Sequence, residues 1–126
     1  MTSHFNSANL TRRLALSLPA ALAAAPARAQ AWPTRPVRLV VPFPPGGPAD
    51  AIGRIVAERL AEIWGQPVII DNRGGAGGNI GADVVAKAVA DGHTLLLAAS
   101  SHVQGAALYR RLAFDPIADF TPITQI

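Results

Sequence analysis

The stretch VVPFPPGGPADAIGR, Val40 to Arg54, joins the end of an apolar run to the start of a helical pattern through four prolines and two adjacent glycines. Proline fixes φ and removes an N–H, whereas glycine permits φ > 0 and lets another group come close to the backbone. Together they make a stiff loop whose remaining N–H groups point in set directions. The loop feeds into a helix N-terminus, where unpaired donors and partial positive charge suit an anion such as a carboxylate. A plain tight connector from strand to helix has the same composition, so the segment alone leaves both readings open. Asp50 reads as a helix N-cap or loop organiser rather than a direct ligand, because its charge would repel a bound carboxylate.

The flanking sequence sets this loop in an α/β pattern. Trp32 to Pro36 is an extended lead-in, and Val37 to Val41 is a short buried strand. Ile52, Ile55, Val56, Leu60 and Ile63 recur at helical spacing and predict a helix from about Asp50 to Trp64, stopped by Gly65 and Pro67. Arg54 stands one turn before Glu58, a partial charge pairing. Val68 to Asp71 is a second strand, and Asn72 to Gly78 a glycine-rich turn. Asn79 is the N-cap of a second helix that runs to about Ala90, with Ile80, Val84 and Ala88 on one face and Asp91-Gly92 as its stop. Thr94 to Ala98 is a third strand, Val103 to Arg111 a short helix, Asp115-Pro116 a turn, and Phe120 to Ile126 a further extended segment. The order β-α-β-α-β-(α)-β predicts a parallel sheet with right-handed crossovers and helices on both faces. With 126 residues and an extended pattern still running at Ile126, the chain reads as the front of a longer protein.

Charge is unevenly placed. The chain has 11 basic and 8 acidic residues, a net charge of +3. Arg12, Arg13 and Arg28 lie in the first 29 residues, which hold no acid, so eight basic residues balance eight acids from Gln30 onward. No basic excess remains there to grip nucleic acid. Residues 1–29 read as a secretory signal peptide: Arg12-Arg13, an apolar run from Leu14 to Ala25, and the small-x-small site Ala27-Arg28-Ala29 before Gln30. The apolar run is too short to span a membrane. Thr11-Arg12-Arg13-Leu14 has a weak twin-arginine character. With no cysteine, an exported chain has no disulfide and its core holds by packing.

Ligands of open α/β sheets bind beyond the carboxyl ends of the strands. Three loops fall there: Pro42–Asp50, Asn72–Asn79 and Ser100–His102. The second resembles a dinucleotide loop but fails its spacing: Gly75, Gly77 and Gly81 are one residue too long for G-x-G-x-x-G, and no cofactor is expected. Arg73 has two candidate partners, a ligand carboxylate or Asp71. Ser100 and Ser101 offer hydroxyls and N–H groups to an oxygen-rich ligand. With His102 they also permit an exported hydrolase or transferase, although no G-x-S-x-G elbow is present. His4, His93 and His102 have no metal-ligand spacing, and no metal is expected. A cytoplasmic nucleotide-binding domain is the third alternative.

The run Arg35-Pro36-Val37-Arg38-Leu39-Val40-Val41-Pro42-Phe43-Pro44-Pro45-Gly46-Gly47-Pro48-Ala49-Asp50 resembles the opening of the Bug (TctC-type) receptors, the periplasmic substrate-binding proteins of tripartite tricarboxylate transporters. Gly65-Gln66-Pro67-Val68, Asp71-Asn72-Arg73, Gly75 to Ala82, Ala86-Lys87-Ala88, Asp91-Gly92, Leu108-Tyr109, Phe114-Asp115-Pro116 and Asp119-Phe120-x-Pro122-Ile123 continue the match in register. The resemblance implies a two-lobed, type II periplasmic-binding-protein-like fold, with residues 30–126 as the N-terminal part of lobe 1. It implies a periplasmic receptor that binds a small organic carboxylate (a di- or tricarboxylate or an acidic amino acid), serves membrane transporter subunits, and is not an enzyme. It places Phe43, Pro44, Gly46, Gly47, Ala49 and Asp50 at the ligand, through backbone groups and ordered waters. Gly77, Gly78, Asn79, Ser100 and Ser101 line the same wall. The chain departs from the family's pattern at Ala49 (usually Ser or Thr), Gly74 (Pro), His93 (Tyr) and Gly105-Ala106 (Asn-Pro).

Overall fold

The computed structural model describes residues 31–109 and 111–126, so the leader expected at residues 1–29 lies outside the described residues. Three parallel strands form one sheet in the order β2-β1-β3: β1 Val37–Val41, β2 Val68–Asn72 and β3 Thr94–Leu96. Val37 pairs with Val68 and Val41 with Asn72 on one side of β1, and Arg38 pairs with Thr94 on the other. The helices are α1 Pro48–Trp64, α2 Asn79–Ala86 and α3 Ser101–Leu108, with a 3-10 turn at Ala76–Gly78. This is the expected α/β order as far as α3. Phe120–Ile126 joins no strand ladder among the described residues.

β1 is central because both of its neighbours need it. Val37, Val40 and Val41 are fully buried, and Leu39 is nearly so. Burying each of these side chains contributes about 1.5–3 kcal/mol. The third strand is shorter than the sequence suggests, and Pro42 supplies the reason. Arg38 N–H donates to the His93 carbonyl and Leu97 N–H to the Val40 carbonyl. The next rung would need an N–H at residue 42, which proline lacks.

Helix α1 begins earlier than expected. Gly47 is its N-cap and Pro48 occupies the first turn, where a missing N–H costs nothing. Its end is as expected: Gly65 takes the left-handed conformation (φ 64°) and its N–H donates to the Ala61 carbonyl at 2.9 Å. The face turned to the sheet is not the isoleucine stripe. Gly53 and Ala57 are buried, whereas Ile55 is 69% and Ile63 63% exposed. A Cβ on Gly53 would stand 3.0 Å from Val41 Cγ2 and 3.3 Å from Leu97 Cδ2, so small residues let the helix backbone sit close to the strands. Arg54 pairs with Asp50 rather than Glu58, and Arg59 pairs with Glu62.

Helix α2 begins one residue earlier than expected and ends sooner. Gly78 (φ 98°), not Asn79, is its N-cap, because Gly77 and Gly78 carry the chain through the 3-10 turn and Asn79 is already helical. The helix stops at Ala86 instead of Ala90: Ala88 N–H tightens onto the Val85 carbonyl, and Val89 is exposed, so no burial extends the helix. At the far end of the sheet, Trp32 packs edge-on to Trp64 and to buried His93.

Candidate functional site at the strand C-termini

All three strands are parallel, so the loops after β1, β2 and β3 lie at one end of the sheet. The sequence order reverses about β1, the place where such sheets open a crevice. Phe43, Pro44, Gly46, Gly47, Ala49 and Asp50 come from the first loop and the start of α1. Gly77, Gly78 and Asn79 come from the second loop, and Ser100 and Ser101 from the third.

Asp50 organises this end. It is buried, at 3% relative exposure, and is the third residue of α1, not its cap. Its carboxylate folds back to accept the Gly46 N–H at 2.9 Å, Arg54 Nε at 2.9 Å and Asn72 Nδ2 at 2.9 Å. The Arg54 bond above all, then those from Gly46 and Asn72, hold its carboxyl down to about 2. One expected ligand-facing amide, that of Gly46, is therefore engaged internally. The Ala49 and Asp50 N–H groups precede the first helical hydrogen bond, Ala51 N–H to the Gly47 carbonyl, and have no backbone acceptor among the described residues.

Glycines of the second loop and of α2 serve close packing. A Cβ on Gly81 would lie 2.9 Å from both the Arg73 carbonyl oxygen and Pro42 Cβ, and one on Gly74 would lie 3.1 Å from Pro44 Cδ. The proline loop thus rests on the glycine loop, and the failed dinucleotide spacing has a structural counterpart in that packing. Asn72, absent from the expected site, ties the two together: its Nδ2 also donates to the Phe43 carbonyl at 3.2 Å.

Arg73 takes the internal partner, Asp71, through Nε at 2.9 Å. Arg38 Nε reaches the same carboxylate at 2.7 Å. Burial pushes the Asp71 carboxyl up, but the bonds from Arg38 and Arg73 outweigh it and hold it below the ordinary range. These three residues border a groove of about 370 Å³ along the face of β1 and β2.

Ser100 precedes α3 with helical dihedrals and makes no side-chain cap; Ser101 is the first helical residue. His102 faces away from them chemically. Its Nε2 donates to the Pro116 carbonyl at 3.0 Å, and its ring meets Phe114 and Phe120 at 6.1 and 4.7 Å. Among the described residues no serine hydroxyl is bonded to it, so the pairing that a hydrolase would need is not formed. No three His, Cys, Asp or Glu side chains converge as metal ligands among the described residues.

The fold is that of the periplasmic binding proteins. Residues 52–126 match the model of the tripartite tricarboxylate transporter family receptors (TctC), and the chain belongs to that family. It is 45% identical over 120 residues to a protein encoded in the tcbD–tcbE intergenic region of Pseudomonas sp. (strain P51), covering 92% of this chain and 36% of that one. Among solved structures it is similar to the periplasmic binding protein BugD (TM-score 0.70, 41% identity, 73% of this chain and 31% of BugD). It is also similar to MatC of Rhodopseudomonas palustris with bound malate (TM-score 0.68, 44% identity, 72% and 31%). The chain spans about a third of the length of these relatives.

Proposed function

We propose that the chain contributes the first part of lobe 1 to an extracytoplasmic receptor that binds a small organic carboxylate and delivers it to the membrane subunits of a tripartite transporter. In this reading residues 1–29 direct export and are removed before Gln30, and the site binds without catalysis. Phe43, Pro44, Gly46, Gly47, Ala49 and Asp50 form one side of the site, and Gly77, Gly78, Asn79, Ser100 and Ser101 the other. The observation that carries it is the open N-terminus of α1, held in place by the buried Asp50 carboxylate and set beside the loops after β2 and β3. Asp50 keeps its negative charge engaged with Arg54, which removes the repulsion that a free carboxylate would exert on an anionic ligand. Malate in MatC is a ligand of the proposed class.

One open wall offers few donors. Micromolar affinity requires about −8.2 kcal/mol, more than a few hydrogen bonds supply after the cost of association. Titration of the 15N-labelled 126-residue chain with malate, followed by NMR, tests the reading. The expected result is fast-exchange shifts of the Gly47, Ala49, Asp50, Gly77 and Ser101 amides, with an affinity weaker than micromolar. Shifts confined to other residues, or none at tens of millimolar malate, refute it.

A further inference from the structure

We infer that Tyr109 completes the proposed site: its phenol is a side-chain donor that hydrogen-bonds a second oxygen of the bound carboxylate. The inference rests on the carboxylate reading above and adds to it a specificity residue and a narrower ligand class.

Tyr109 follows directly after α3, in extended conformation at φ −106° and ψ 124°. Its backbone N–H closes the helix on the Gly105 carbonyl at 3.0 Å. Gly105 in turn lies against the second loop, because a Cβ there would stand 3.0 Å from Asn79 Oδ1. The helix end is thereby seated on the glycine turn, and the Tyr109 hydroxyl comes to 3.4 Å from the place a Cβ would occupy on Gly77. Gly77 has φ +66°, so the turn both needs glycine and leaves the space above it to the phenol.

The hydroxyl has no hydrogen-bond partner among the described residues, and Tyr109 is 41% exposed. Its ring borders a groove of about 350 Å³ shared with Ile80, Val84, Leu112 and Phe114, an apolar seat for the ring body. Arg111 and Asp83 border the same groove, so its rim carries one charge of each sign. An apolar body with an unspent polar tip is the arrangement in which tyrosine contributes orientation to a site.

Two donor groups result, one at the start of α1 and one at the Gly77–Tyr109 contact. A ligand with two oxygen-bearing groups, a dicarboxylate or hydroxycarboxylate, engages both, whereas a simple monocarboxylate engages one.

The chain has a single tyrosine, so a 13Cζ-tyrosine label gives one resonance that reports on that hydroxyl. With malate, the Tyr109 Cζ signal is expected to move along with the Gly47 and Ala49 amides. Tyr109→Phe, which keeps the ring, is expected to weaken malate roughly 3- to 10-fold, the worth of one hydrogen bond, and to leave acetate binding unchanged. If the amides move while Cζ stays fixed and Tyr109→Phe binds malate as the parent does, the assignment of Tyr109 is overturned and the carboxylate site stands. If malate moves neither the amides nor Cζ, the site itself is overturned.

Discussion

Asn72 Nδ2 donates to Asp50 Oδ1 at 2.9 Å across 22 positions of sequence, and the same nitrogen donates to the Phe43 carbonyl at 3.2 Å. One carboxamide thus joins the end of β2, the first turn of α1 and the proline loop. Asn72→Ala removes both bonds and leaves a buried carboxylate oxygen short of a donor. The expected result is a fall in Tm of roughly 5–10 °C by thermal denaturation, with Asn72→Asp worse because it sets a second carboxylate beside Asp50.

The Asp50 carboxylate, held by Arg54 first and then by Gly46 and Asn72, also contributes to the acid limit of the fold. The Asp50 carboxyl titrates at about 2 in the folded chain against an ordinary 3.8. A depressed folded pKa stabilises above the ordinary value and loses that contribution as pH falls through the folded one. From this group, stability is flat above about pH 5 and declines between about pH 4 and pH 2. Asp71, Asp91 and Asp115 are also lowered and add to the decline. Subtracting the Tm-against-pH curve of Asp50→Asn from that of the parent isolates the Asp50 part. A difference that does not change between pH 5 and pH 2 counts against the Asp50 network.

Gly81→Ala tests the close seating of α2 on Pro42 and Arg73. Its Cβ would press at 2.9 Å on a backbone oxygen and on a proline ring carbon, neither of which yields like a flexible side-chain tip. Helix propensity alone favours alanine by about 1 kcal/mol, so a net loss of about 1–3 kcal/mol in denaturant unfolding shows that the clash wins. A gain in stability would mean that α2 does not sit on Pro42 and Arg73 as described.

Much of the frame was legible in sequence because local chemistry fixes it. Gly65 ended α1 as expected, the proline run ended β1, and the three strands follow from short apolar runs between turn residues. The loops at the strand ends were equally legible, since parallel order alone collects them. What failed were choices made by tertiary packing. Periodicity showed that α1 has an apolar stripe, but two stripes adjoin. The sheet took the small one at Gly53 and Ala57, leaving Ile52, Ile55 and Ile63 exposed, because close approach to Val41 and Leu97 leaves no room for isoleucine. Asp50 looked like a cap because it precedes an apolar pattern, yet Pro48 had already opened the helix. Asn72 and Tyr109 carried weaker signals, an amide after a strand and a lone tyrosine after a helix. Their positions depend on contacts 22 to 32 residues away in sequence, to Asp50 and Gly77.

β1 comes first in the sequence yet lies between two strands that come later. During synthesis its five residues leave the ribosome with neither lateral neighbour. Val68–Asn72 must appear before one edge closes, and Thr94–Leu96 before the other does. The nascent polypeptide therefore carries a valine-rich ribbon with at least one bare edge for some fifty-five residues of elongation, a window in which a holding chaperone has a target.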